Sequence, residues 1–277
     1  ASVLILSGDN SLAESFRTKV LEAGASGVSV FNPTAALGSD AELAGAISNA
    51  AKILFLKNNE TTFSQFLLTS NGTLLKQRLH SDGMISAFAG EDARLAGRSV
   101  VGNYLTYLSS WYGEMTFTPG LALLGHTVIM PQTFLDSDIY ENTATAVPYA
   151  MALDTLKFGI WLTNHNYMKF SPSEGKATLT GYGTAPLMVL TNQGQLAGFS
   201  QQTGTGSAVT PRMVAGFDKL RLDLTYYSTP FVMGDVSAAG TDKPATGLQT
   251  IRIFPNPVCE TLVLPHMEGA VSWTITG

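Results

Sequence analysis

The sequence predicts an α/β domain built on a mostly parallel sheet with helices on both faces. Three observations predict it. Apolar runs such as SVLIL, KILFL and GMISAF carry no polar alternation, as strands covered on both sides do. Segments with helical periodicity separate them. Of the 277 residues 45% are hydrophobic and only 13% charged, the balance of a chain with a large core.

Taken in order, SVLILSG is the first strand and NSLAESFRTKVLEAG the first helix. Ser11 and Glu14 read as its capping box, Leu12, Phe16 and Val20 as its buried stripe, and Gly24 as its stop. GVSVF is the second strand, and SDAELAGAISNAA a helix with Ser39 and Glu42 as a second capping box. KILFL is the third strand. TTFSQFLLTSNG and TLLKQRLH read as helical pieces on either side of Asn71-Gly72, before GMISAF, the fourth strand, and HTVIM, the fifth, ending at Pro131-Gln132. From about Phe158 the segments FGIWL, NYMKF, KATLTGYG, APLMVLT and RLDLTYY read as short strands of an antiparallel extension or sheet edge, with a turn at Asn192-Gln193-Gly194. The small, polar SAAGTDKPATG reads as a linker. The organisation expected is an α/β domain over 1–236, a linker over 237–250 and a β module from 251 to 277.

Several classes of chemistry find no support. A net charge of −5 with no dense basic patch argues against nucleic acid. No apolar run reaches the roughly 20 residues of a membrane helix. His80, His126, His165 and His266 stand far apart, and Cys259 is the only cysteine, so neither a metal site nor a cofactor is expected. Glycine-rich nucleotide motifs are absent between strand and helix. His80-Ser81-Asp82 holds the residue types of a hydrolase triad, but sequence neighbours on an extended segment point apart, and a surface loop is the plainer reading.

In open α/β sheets chemistry sits beyond the carboxyl ends of the strands. Those ends are Ser7-Gly8, Phe31-Asn32, Lys57-Asn58 and Phe88-Ala89. The stretch GMISAFAGEDARLAG joins a strand to a helix through a tight turn of small residues, where many hydrolases carry a nucleophile. Here the turn reads Phe88-Ala89-Gly90, without hydroxyl or thiol. Glu91 and Asp92 follow, placed to complement the positive end of a helix.

The order of these segments resembles the cyanophycinase-like serine peptidases, over roughly residues 1 to 195. Lys57-Asn58-Asn59-Glu60 falls where that family has its Gly-Gly-Asp-Gln turn, and ISAFAGEDA where it has Gly-Thr-Ser-Ala-Gly-Ala. GLALLGHTVIMPQTF falls on the Gly-Leu-Gly-Leu-Leu to Asp-Gln-His-Phe stretch, with Gly120, Leu121, Leu123, Leu124, Gln132 and Phe134 in place. FGIWLTNHNYMKF falls on the Gly-Ile-Asp-Glu strand, and ATLTGYGTAPLMVL on the hairpin after it. The resemblance implies a flavodoxin-like, class I glutamine-amidotransferase-like fold. It puts Ala89 at the serine position, Thr133 at the histidine position and Leu162 near the acidic one, so no catalytic residue is expected at any of the three. A turn shifted along the chain would make Ser86 an alternative nucleophile. Lys57, Asn58, Gly90, Glu91 and Gln132 are expected to line the former cleft, with a peptide or small molecule as its occupant. An active hydrolase with a relocated nucleophile and a purely structural surface protein remain the alternatives.

Further on, IRIFPNPVCETLVL resembles the start of the C-terminal sorting domains of type IX secretion, through Phe254-Pro255-Asn256-Pro257 and the strands TLVL and VSWTITG. That resemblance implies a secreted or cell-surface protein, with the secretion machinery as a partner.

Overall fold

The computed structural model describes residues 1–81, 83–133, 137–163, 166–173, 176–183, 187–201, 213–225, 230–234 and 251–253. β1 (Ser2–Ser7), α1 (Asn10–Glu22), β2 (Gly27–Phe31), α2 (Ala41–Asn49), β3 (Lys52–Leu56), α3 (Glu60–Phe66), α4 (Ser70–Leu79) and β4 (Ile85–Ala89) form the first half. All pairings in its sheet are parallel, in the order β2-β1-β3-β4. The central strands β1 and β3 lack alternation because both their faces are covered, whereas Ile85 and Ala87 of the edge strand β4 are exposed. Leu4 and Leu6 of β1 pack with Leu43 and Ile47 of α2 and Phe63 and Leu75 beyond it. Val3 and Ile5, pointing the other way, pack with Leu12, Ala13, Phe16 and Val20 of α1.

Helix starts differ from expectation by one or two residues. Asp9, not Ser11, caps α1 by accepting from the Leu12 N–H, while Glu14 pairs with Arg17 instead of reaching back. Asp40, not Ser39, caps α2 by accepting from the Leu43 N–H. In each case the carboxylate is the stronger acceptor and the strand or loop ends where it can reach the first turn. Gly24 does follow α1 in the left-handed region. The break between α3 and α4 falls at Leu67–Thr69, where Thr69 is the cap. Asn71 lies inside α4, and its amide donates to the carbonyls of Leu37 and Asp40, tying α4 to the start of α2.

A 3-10 helix, Gly90–Ala96, leads from β4 to β5 (Ser99–Gly102). α5 (Ser109–Tyr112), β6 (Thr116–Pro119), β7 (Thr127–Thr133), α6 (Tyr140–Leu153) and β8 (Phe158–Thr163) follow. HTVIM is therefore the seventh strand in the chain, not the fifth. The remaining strands are β9 (Tyr167–Ser173), β10 (Lys176–Tyr182), β11 (Leu187–Asn192), β12 (Leu196–Gln201), β13 (Met213–Phe217), β14 (Leu220–Thr225), β15 (Pro230–Gly234) and β16 (Ile251–Ile253). A second sheet runs β14-β11-β8-β7-β5-β6, with β5, β7 and β8 parallel and β6, β11 and β14 paired antiparallel. Val128 and Met130 of β7 meet Val147, Ala150 and Met151 of α6. Ile129 faces the opposite side, toward Ala93 and Ala96 of the 3-10 helix and Leu179 of β10. At Gly159 a Cβ would run into Val147 and come within 2.8 Å of the Met151 sulfur, so glycine is what lets α6 lie close on β8.

The late strands divide as the sequence suggests only in part. β11 and β14 extend the second sheet, whereas β9, β10 and β15 form a sheet of their own. The turn at Asn192–Gly194, closed by the Gly194 N–H on Asn192 Oδ1, leads from β11 to β12 in another sheet. β16 pairs antiparallel with β13. The expected linker, most of the 251–277 module, Phe134, His165, His266 and Cys259 lie outside the described residues.

Candidate functional site

The carboxyl ends of β1, β3 and β4 lie side by side through parallel pairings that reach Ser7↔Leu56 and Leu56↔Ala89. β1 and β3 approach so closely that a Cβ on Gly8 would sit 2.6 Å from the Lys57 carbonyl oxygen. Lys57 takes φ +48°, a left-handed conformation that non-glycine residues rarely adopt. Its ammonium reaches Asp9 Oδ2 at 3.0 Å, and the same carboxylate caps α1 through Oδ1. The Asp9 carboxyl is held below its usual range, first by the Leu12 N–H and then by Lys57.

At the end of β4 the residue with positive φ is Gly90, at +61°. Ala89 is ordinary extended backbone, φ −105° and ψ 136°, and caps the 3-10 helix without a side-chain hydrogen bond. The sharp reversal thus belongs one residue later than the alignment of motifs suggests. Gly90 has no side chain there, and nothing lies within 4 Å of where its Cβ would be.

Two residues on, Asp92 stands with Glu91 in the first turn of the 3-10 helix, as the sequence reading had it, and its carboxylate folds back toward β3. It is 2% exposed. Its carboxylate accepts from the Asn58 N–H at 3.0 and 3.2 Å and from Asn58 Nδ2 at 2.7 Å. Asn58 Nδ2 also donates to the Leu6 carbonyl at 3.0 Å, which fixes the orientation of the amide. Burial pushes the Asp92 carboxyl up to about 6, against the Asn58 hydrogen bonds and the charge of Arg94, which lower it, and with a smaller upward push from Glu91.

Arg94, also buried, closes the other side of the cluster. Its guanidinium lies 3.3 Å from Glu60 Oε2 and 3.7 Å from Glu91 Oε2. Nε donates to the Glu91 carbonyl, one terminal nitrogen donates to the Val101 carbonyl, and the cation sits 4.8 Å from the centre of the Tyr104 ring. Glu60 Oε1 in turn accepts from Thr118 Oγ1 at 3.3 Å. One arginine therefore joins α3, β5, β6 and the segment after β5. Burial pushes the Tyr104 phenol up to about 12.

The other sequence-selected positions sit as follows. Ser86 is the second residue of β4, four residues before Gly90 and so about 13 Å back along the strand. Gln132 takes φ +57° in a bulge where Pro131 pairs with Leu162 and Thr133 with Thr163. Thr133 is buried and its hydroxyl donates to the Met130 carbonyl. Leu162 packs with the cluster that holds Phe88, Ala93 and Ile129, whereas Ala89 packs on the α1 side with Leu56. The structure does not bring the side chains of Ala89 and Leu162 into one apolar lining. It brings together Asn58, Asp92, Arg94, Glu91 and Glu60. His80 ends α4 with Nε2 3.1 Å from the Leu121 carbonyl, and Ser81 bonds within the same helix end, so these two members of the His-Ser-Asp run serve as local structure. Among the described residues no group of three or more His, Cys, Asp or Glu is placed to hold a metal ion. No helix among them is long and apolar enough to cross a membrane.

No family model and no curated protein matches the chain. Among solved structures it is similar to a peptidase from an acI-B1 Actinobacterium, at 14% identity and a TM-score of 0.51, over 68% of this chain and 75% of that one. It is also similar to a candidate peptidase E from Listeria monocytogenes EGD-e, at 12% identity and a TM-score of 0.46, over 66% and 86%. The first likeness establishes the fold: a peptidase-like α/β domain, mostly parallel in its sheet, with helices on both faces.

Proposed function

We propose that this chain is a catalytically silent relative of the cyanophycinase-like serine peptidases, exported to the cell surface, which holds a peptide or other small ligand at the strand ends. The observation that carries the reading is the turn after β4. Its left-handed residue is Gly90, and the neighbouring backbone donor, the Asn58 N–H, is taken by the chain's own Asp92. Serine hydrolysis needs a nucleophile on such a turn and N–H donors free to meet the developing oxyanion. Removing one triad member alone lowers turnover by about four to six orders of magnitude. Here Ala89, Gly90 and Thr133 supply neither serine nor histidine. Export rests on the likeness of Phe254-Pro255-Asn256-Pro257 to the sorting domains.

A fluorophosphonate probe tests the silence. The folded protein is expected to take up no more label than a heat-denatured control. Stoichiometric labelling at Ser86 or at any other serine near the strand ends would overturn it. For export, deletion of 251–277 is expected to leave the protein inside a type IX-competent host. Secretion of the truncated chain would remove that part of the reading.

A further inference from the structure

The donors at the end of β3 point to a class of ligand. Asn58 directs two N–H groups, one from its backbone and one from its amide, at a single carboxylate. The amide cannot turn its oxygen to that spot without losing the Leu6 carbonyl as well. A pair of fixed donors converging on one planar group is how proteins recognise a carboxylate. The nearby cations are engaged elsewhere: Arg94 on Glu60, Glu91 and the Val101 carbonyl, Lys57 on Asp9. The carboxylate itself comes from within the chain, on a residue that the left-handed turn at Gly90 swings back over β3.

We propose that Asn58 forms a carboxylate-binding site whose resident ligand is Asp92, and that the native chain thereby closes this spot to anions from outside. The proposal rests on the reading of the strand ends as a ligand cleft and narrows it. A molecule held there is not anchored through a carboxylate of its own at Asn58. It is held by neutral or cationic groups, or at other positions of the rim.

Removing the resident ligand tests this directly. Asp92→Ala, and separately Asp92→Ser, are compared with wild type and Asp92→Asn by thermal unfolding at pH 7, in sodium acetate and in sodium chloride at equal ionic strength. For both truncations acetate is expected to raise the unfolding temperature with the logarithm of its concentration once above its Kd, by about 5 °C at about 20 times Kd. Wild type and Asp92→Asn are expected to unfold alike in the two salts, since their site is filled. If Asp92→Ala does not fold in chloride, refolding yield in the two salts gives the same comparison, with recovery in acetate supporting the proposal. No acetate-specific gain in Asp92→Ser, or an equal gain in wild type, overturns it. The outcome is separable from the question of activity. Fluorophosphonate labelling of wild type would end the silent-peptidase reading and leave the acetate result standing.

Discussion

Replacing Asp92 by asparagine should make the protein more stable at neutral pH, although the change removes a carboxylate with three hydrogen bonds. Burial raises this carboxyl from 3.8 to about 6 in the folded chain. A group whose folded value is raised contributes stability that is fully present below the unfolded value and is lost as the pH rises through the folded one. The window is therefore about pH 4 to 6. The two-unit shift corresponds to about 3 kcal/mol lost by pH 8, at about 1.4 kcal/mol per unit. Asparagine keeps an oxygen to accept from the Asn58 N–H and amide but carries no charge, so its stability has no such dependence. Arg94 and Glu91, the charged neighbours that also act on Asp92, are present in both proteins, as is the Asp9–Lys57 pair, and they largely cancel in the comparison. The assay is urea unfolding followed by tryptophan fluorescence from pH 4 to pH 8. Between those limits the midpoint of Asp92→Asn should gain about 1 M on wild type, for an m of about 3 kcal/mol/M. A difference between the two midpoints that stays constant with pH would refute the argument, because the carboxyl would then titrate alike in folded and unfolded chains.

Other substitutions follow from the packing. Gly159→Ala should lower stability by about 1–3 kcal/mol in thermal unfolding, and Val147→Ala in the same chain should recover part of it by clearing the space. Asn142→Ala should be more severe than an average surface change, about 2–4 kcal/mol, and should speed amide exchange at Ser110. That buried side chain donates to the carbonyls of Tyr104 and Thr106 and accepts from the N–H of Ser110. Tyr104→Phe should be neutral or stabilising by up to about 1 kcal/mol in urea, since the buried phenol oxygen has no hydrogen-bond partner among the described residues.

Much of the first half was legible because burial on both faces leaves an unmistakable trace. Strands such as Lys52–Leu56 need apolar side chains in both directions, and Leu12, Phe16 and Val20 recur at the spacing of one helical face. β5 and β6 left too little sequence, four residues each, to register as apolar runs. α6 was hidden for the opposite reason. It is buried on most of its surface, from Asn142 to Ala152, and carries Pro148 inside, so it shows no polar face to set the period. The motif order located the turn after β4 but not the residue that makes it. The conformational demand falls on Gly90, whose φ is a property of the folded backbone. The pairing of Asn58 with Asp92 was not legible at all. It joins residues 34 positions apart, and only the register that sets Leu56 beside Ala89 brings them together.

The separation of the sheet that holds β1 to β4 from the sheet that holds β5 to β8 has a mechanical meaning. Among the described residues no ladder joins β4 to β5 or β7, so β4 ends the first sheet and the 3-10 helix Gly90–Ala96 bridges to the second. What spans that seam is side-chain contact: apolar packing from Phe88 through Ala93 and Ala96 to Ile129, and the polar links Glu60–Arg94, Glu60–Thr118 and Asn58–Asp92. The two parts of the α/β core are thus tied by side chains and by one crossing of the chain, the segment that carries Asp92.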